Sequence, residues 1–241
     1  MSALLSTRAL SRSFGGLRAV HEVDLDLGLG EVRALIGPNG AGKTTLVSML
    51  IGRVAPSSGR ILFDGQDITR LPAHARVRLG LAYTFQITSV FARLPVAENV
   101  ALAARRRFGR DRAAVAREIA RTLDRVGLTG RDDSAAGDLS YGHQRLLELA
   151  MGLAQAPRLL ILDEPTQGLA ETEIAAFKAL VRDLAGETAI LLIEHNMGVV
   201  MELADRITVL DAGRVLAEGP PAAIRADARV QAAYLGTAID A

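Results

Sequence analysis

Residues 37–44 read GPNGAGKT, a complete G-x-x-x-x-G-K-T run. The run demands a buried strand before it and a helix after it, and both are legible here: Val32 to Ile36 reads as the strand, and a helix should open near Lys43 and fade at Gly52. Gly37, Gly40 and Gly42 let the backbone curl so that successive N–H groups face one anion at a helix N-terminus. Lys43 supplies a point charge for β- and γ-phosphates, and the Thr44 hydroxyl is placed to ligate Mg²⁺. Pro38, Asn39, Ala41 and Thr45 belong to the same nucleotide-contacting stretch. The motif implies a nucleoside triphosphate and leaves open which hydrolase carries it.

The rest of the chain alternates strand and helix signals. Val20, Val23, Leu25 and Leu27 recur mostly at spacing two, as in a half-buried strand over 18–27. Short strands are expected at Ile61–Phe63, Leu81–Thr84, Leu159–Leu162 and Ala189–Ile193, with two more flanking Ala212–Gly213. Ile174, Phe177, Val181 and Leu184 mark a helix, as do Val115, Ile119, Leu123 and Val126, whose stripe stops at Gly127. A further helix begins near Tyr141. Strands alternating with helices predict an α/β protein with a mainly parallel sheet covered on both faces. The helical stretch from about 97 to 154 breaks that alternation and reads as an inserted lobe.

The segment LLILDE at 159–164 delivers Asp163 and Glu164 to the carboxyl end of a buried strand, where open α/β sheets bind ligands. Asp163 can hold Mg²⁺ through water, and Glu164 can polarise an attacking water.

Bulk composition excludes several alternatives. With 28 basic and 27 acidic residues the net charge is +1, so no whole-molecule field for nucleic acid is implied. The absence of cysteine removes disulfides, thiolate metal sites and a cysteine nucleophile. Every apolar run is shorter than the roughly 18–20 residues that span a bilayer. The N-terminus, MSALLSTRAL, lacks the basic start and longer apolar segment of a signal peptide. A cytoplasmic protein is expected, at a membrane only as a peripheral guest.

Residues 139–144 read LSYGHQ and lead through an apolar helix into LLILDE. Here the chain resembles the ABC ATPases, whose signature is written LSGGQ. The order of parts matches over essentially the whole chain: GPNGAGKT, Gln86 in TFQ, LSYGHQ, LLILDEP and His195 in LLIEHN. The resemblance implies a P-loop NTPase fold with an N-terminal antiparallel β region and an inserted α-helical signature subdomain. It divides the single domain 1–241 into a core of about 1–86 and 155–241 and a helical subdomain of about 87–154. It also implies a head-to-tail dimer, homomeric or with a second ABC ATPase, in which Ser140, Gly142 and Gln144 of one subunit face ATP held by the other. His195 is implied as the group that reads the γ-phosphate, Gln86 as a further Mg²⁺ or water ligand, and Phe14 as the ring that stacks on adenine, with Val20 against the same ring. Ala170 departs from the Asp or Asn that many members carry there, which puts coupling of the two sites through that position in doubt.

Within the family, Phe14-Gly15-Gly16-Leu17, Ser-Tyr-Gly-x-Gln-Arg, Ile193-Glu194-His195-Asn196-Met197 and the C-terminal Ala233-Tyr234-Leu235-Gly236 resemble ATPases of branched-chain amino-acid and urea or amide importers. That resemblance implies transmembrane permease subunits, a periplasmic or extracellular solute-binding protein, and a peripheral place on the cytoplasmic side of the inner membrane. The segment 71–83 and the terminal Tyr-Leu-Gly recur as well in ATPases that extract lipid for export, which is the alternative reading. A non-transport role on ribosomes or DNA is disfavoured by the single cassette and near-neutral charge. Phe91 and Leu94, after Gln86, are candidates for a groove that docks the permease. The cluster Arg105, Arg106, Arg107, Arg110 and Arg112 reads first as a solvated face and second as a contact for anionic lipid.

Overall fold

A computed structural model describes residues 3–84 and 89–235. The chain opens with β1 (Leu5–Phe14) and β2 (Leu17–Leu27), then β3 (Val32–Ile36), α1 (Lys43–Leu50), β4 (Ser58–Phe63), β5 (Gln66–Asp67), α2 (Ala73–Arg78) and β6 (Leu81–Thr84). A purely helical run follows: α3 (Val96–Phe108), α4 (Arg112–Arg125), a 3₁₀ turn at Ala136–Asp138, and α5 (Tyr141–Leu153). The last third alternates again, through β7 (Leu159–Asp163), α6 (Glu171–Leu184), β8 (Ala189–Ile193), α7 (Met197–Leu203), β9 (Arg206–Asp211), β10 (Arg214–Gly219), α8 (Pro221–Ala226), α9 (Ala228–Val230) and a π turn at Gln231–Leu235.

Two sheets result. The first is antiparallel in the order β2-β1-β4-β5, and the second runs β10-β9-β3-β8-β7-β6. In the second sheet β9, β3, β8, β7 and β6 are mutually parallel, and β10 closes the edge antiparallel to β9. This is the mixed α/β architecture expected, antiparallel at the N-terminus and mainly parallel in the centre. Every residue of β3, β7 and β8 is buried, as strands covered on both faces require. Along β7 the side chains alternate between two cores. Leu159 and Ile161 pack toward α1 and the antiparallel sheet, while Leu160 and Leu162 pack toward α6 and the helical run. Arg33 is the charged exception in β3, and Glu31 (2.8 Å) and Glu218 (3.1 Å) pair with it.

Local sequence explains the finer turns. Val20 and Val23 are three apart yet both point inward, because the register with β1 jumps between them and Glu22 takes a left-handed φ of 49°. That bulge turns the expected alternation back into phase. In α4, Asp111 caps the first turn by accepting from the Ala114 N–H (3.0 Å), and Gly127 at φ 73° ends the run. Arg76 of α2 is buried and donates to the carbonyls of Met49, Leu50, Leu71 and Thr69, so it fastens the C-terminal end of α1. Burial lowers its pKa to about 10, against the opposing charge of Asp67.

Candidate active site

The strand order brings three functional segments to one edge. β8 lies between β3 and β7, with Leu35 and Asp163 both registered against Ile193. The glycine loop, the Asp163–Glu164 pair and His195 therefore leave the sheet side by side at its carboxyl end.

The loop's shape follows from its glycines. Gly37 has φ 151° and Gly42 φ 101°, and a Cβ on either would overlap a backbone carbonyl, of Leu210 and of Ala19 respectively. Gly40, at φ 80°, meets nothing within 4 Å, so the loop is tight toward the protein and open on its other side. α1 begins without a side-chain cap or an acidic residue in its first turn, leaving its terminal N–H groups for an anion. The Lys43 ammonium donates to the carbonyls of Gly37 (2.6 Å) and Pro38 (3.0 Å). Burial pulls the lysine pKa down, while Glu164 and Asp163 draw it back up.

Asp163 is buried at the end of β7 and accepts a 2.7 Å hydrogen bond from the Tyr83 hydroxyl. Burial is the main force on its carboxyl pKa and raises it; the Tyr83 bond opposes that, and the Glu164 charge adds to it. Tyr83 is itself pushed well above the usual phenol range by burial and by Asp163. Glu164 sits in the left-handed region at φ 48°, uncommon for a side chain with a Cβ, and its N–H donates to Ile193 O (2.8 Å). This turn aims the Glu164 carboxylate, 23% exposed, toward the mostly exposed imidazole of His195; Oε1 lies 4.0 Å from Nδ1. Glu194, on the other side, is buried and lies 3.8 Å from the same Nδ1.

Two adjoining hollows of about 540 and 520 Å³ meet at Asn39, Lys43, Glu164 and Ile193. The first is lined by Phe14, Gly40, Ala41, Gly42, Thr44, Thr45 and Asp163; the second by Gly37, Pro38 and His195. The structure thus gathers the glycine-loop residues, Asp163, Glu164, His195 and Phe14 around two hollows joined at Asn39, Lys43, Glu164 and Ile193. The Phe14 ring is 46% exposed, with the Arg12 guanidinium 4.5 Å from its centroid. Val20 requires a correction: it is 0% exposed, part of the core beneath β2, and lines neither hollow. Leu17, Arg18 and Ala19 border the ring's side instead. Gln86 lies outside the described residues.

Asp163 and Thr44 line the same hollow, and the raised carboxyl pKa of Asp163 marks a site where a cation would relieve a desolvated charge. No group of three or more acidic, histidine or cysteine side chains is arranged to hold a metal ion among the described residues. That donor set suits Mg²⁺, which keeps waters and takes phosphate oxygens in place of an all-protein cage.

Ser140, Gly142 and Gln144 line neither hollow. They sit at the start of α5, where the Ser140 hydroxyl accepts from the His143 N–H (3.3 Å) and lies 2.9 Å from the His143 Nδ1. The Gln144 amide turns back to donate to Leu139 O (3.1 Å). The same segment packs on the turn before α6. Tyr141 would stand 2.9 Å from a Cβ on Gly168, and Glu173 lies over Gly142 while accepting from the Ala170 N–H (2.8 Å). Glu173 thus holds this turn where Ala170 has no side-chain acceptor. Sequence reasoning passed over Tyr83, His143, Glu173 and the role of Glu194. Only Glu194 carried a local signal, a carboxylate ending an apolar strand just as Asp163 does.

Residues 20–167 match the sequence family described as ABC transporter, and residues 214–240 match the family described as branched-chain amino acid ATP-binding cassette transporter. The high-affinity branched-chain amino acid transport ATP-binding proteins BraF of Pseudomonas aeruginosa and LivG of Escherichia coli are each 39% identical, over 98% of both chains. A lipopolysaccharide export system ATP-binding protein of Acidithiobacillus ferridurans is 36% identical over 98% of both chains. Among solved structures, a nucleotide-free ATP-binding cassette from an ABC transporter superimposes with TM-score 0.87 at 26% identity, covering 96% of this chain and 98% of its own. A cassette in its ADP conformation gives TM-score 0.86 at 26% identity, covering 98% and 100%.

Proposed function

The chain belongs to the ABC transporter family, and we propose that it is the ATP-hydrolysing subunit of a transporter importing branched-chain amino acids or related small solutes. The observation that carries the catalytic assignment is the convergence of the Lys43 loop, Asp163–Glu164 and His195 on two adjoining hollows that share Lys43 and Glu164. The match of residues 214–240 to the branched-chain family supports the cargo class over lipid export.

In this reading Glu164 accepts from and orients the attacking water, Lys43 and the α1 N-terminus balance charge on the phosphates, and His195 donates to the γ-phosphate. Mg²⁺, held by Thr44, Asp163 and, on the family pattern, Gln86, would supply charge neutralisation between the β- and γ-phosphates. Phe14 stacks on adenine. Ser140, Gly142 and Gln144 complete the site of a second subunit, a reading supported by their absence from the lining of both hollows of their own chain. The core comprises about 1–86 and 155–241 and the helical subdomain about 87–154.

No helix of the described residues is long and apolar enough to cross a membrane, and in this reading separate permease subunits supply the path. Phe91 is 53% exposed in the loop before α3, where the buried Asn99 accepts from its N–H (2.7 Å). That pinned, outward ring suits docking of a permease loop. A solute-binding protein outside the membrane and a peripheral position on its cytoplasmic side complete the assembly. The test is leucine uptake in cells carrying Lys43→Ala as their only copy. Uptake should fall to background; normal uptake with defective lipid export would transfer the chain to the exporter branch.

A further inference from the structure

Glu194 directly follows β8 and is 1% exposed, yet among the described residues no arginine or lysine pairs with it. Its two oxygens are used in opposite directions. Oε1 accepts from the backbone N–H of Thr166 (3.1 Å) and from the Thr166 hydroxyl. Oε2 accepts from the N–H groups of His195 (2.8 Å) and Asn196 (2.9 Å). A buried carboxylate holding four donors is satisfied without a counter-ion. Both oxygens must accept, so only a full carboxylate fits; an amide would turn its NH₂ onto donors on one side.

The two segments it joins are those that carry the chemistry. Thr166 follows Glu164 by two residues and begins the turn that reaches Gly168, against Tyr141, and Ala170. His195 and Asn196 open α7, which Asn196 caps by accepting from Val199 N–H (3.2 Å). Farther along, α6 and α7 meet again where Lys178 and Arg182 both pair with Glu202. A plain structural role would need any one of these bonds. The divided use of the two oxygens instead fixes one loop relative to the other.

We propose that Glu194 is a positioning residue that sets His195 against Glu164 and ties both to the 166–170 turn, so that displacement of the turn is transmitted to the imidazole. It offers a route through the chain that does not need a polar side chain at position 170. This rests on the reading of Glu164 and His195 as the ATP-hydrolysing groups.

The test uses the full chain with MgATP. Glu194→Gln should lower kcat by about 10- to 100-fold, as expected for misplacement on the ångström scale. KM for ATP should stay within about twofold, because the Lys43 loop is untouched, and the His195 imidazole carbon resonance should shift. Thr166→Val, which removes one donor, should lower kcat about 3- to 10-fold, with Thr166→Ser returning it to the parental value; this pair decides the matter if Glu194→Gln does not fold. Parental kcat in Glu194→Gln, or equal kcat in the Val and Ser variants, overturns the proposal. A parent protein that does not hydrolyse ATP would instead sink the catalytic assignment beneath it.

Discussion

The glycine loop and the LSYGHQ segment each start a helix, but α1 and α5 begin in different ways. α1 starts from Gly42 with no side chain to cap it, so its N–H groups stay available in a hollow that already contains Lys43, Asp163 and Glu164. α5 starts from Ser140, whose hydroxyl is engaged by the backbone and ring of its own His143, and Gln144 is folded back onto Leu139. One wall leaves its donors for a ligand, and the other satisfies itself. In the proposed reading, such a self-capped wall can stay exposed until a phosphate on a second subunit takes the Ser140 hydroxyl as a donor.

The sharpest way to break this contrast is at the reaction itself. Glu164→Gln should cut kcat by about 10²- to 10⁴-fold, the range for loss of a general base, while ATP still binds and holds subunits together. Single-turnover measurement with labelled ATP checks it, and a parental rate would remove Glu164 from the mechanism. The next effect separates the walls. Lys43→Ala should weaken ATP binding to dilute, monomeric protein by about 10- to 100-fold, the equivalent of a charge-assisted bond of about 1.5–3 kcal/mol. Ser140→Ala should leave that monomer affinity intact and abolish ATP-driven dimerisation, read by equilibrium titration and light scattering. Equal losses of monomer affinity would mean that both walls serve the same chain.

The smallest effect concerns stability. Burial raises the pKa of Asp163, so the folded state binds that proton more tightly than the unfolded chain does. The stability this gives is present below the ordinary carboxylate pKa and is lost as pH rises through the raised folded value. Asp163→Asn should therefore raise Tm at neutral pH by about 2–4 °C without magnesium, while losing activity, and the difference should vanish in acid. A lower Tm at neutral pH would show that the Tyr83 bond and the Lys43 charge outweigh burial.

The wall built from β3, α1 and β7 was legible because the glycines, lysine and acid pair are contiguous and their flanking strands are uniformly apolar. β1 and α2 were not read. The alternation of β1 is interrupted at Ala9, which takes φ 46°, and α2 has six residues held by the tertiary bonds of Arg76. Tyr83 and Glu173 were missed for the same reason: each acts on a residue remote in sequence, Asp163 and Gly142. Val20 was misassigned because the bulge at Glu22 turns it inward, a rotation invisible in a string of residue types.

The exposed Phe14 ring has a consequence for selectivity. One cation, Arg12, covers it, its other neighbours along the hollow include Leu17 and Ala19, and the nearby Arg18 guanidinium is engaged with His21. In the proposed reading, this side of the hollow offers a purine a flat ring bordered by the apolar Leu17 and Ala19. Discrimination built on stacking alone is shallow, since rejecting an analogue strongly takes a polar group left unpaired. GTP should therefore be turned over within about tenfold of ATP, and the cell's higher supply of adenine nucleotide would decide what the protein consumes.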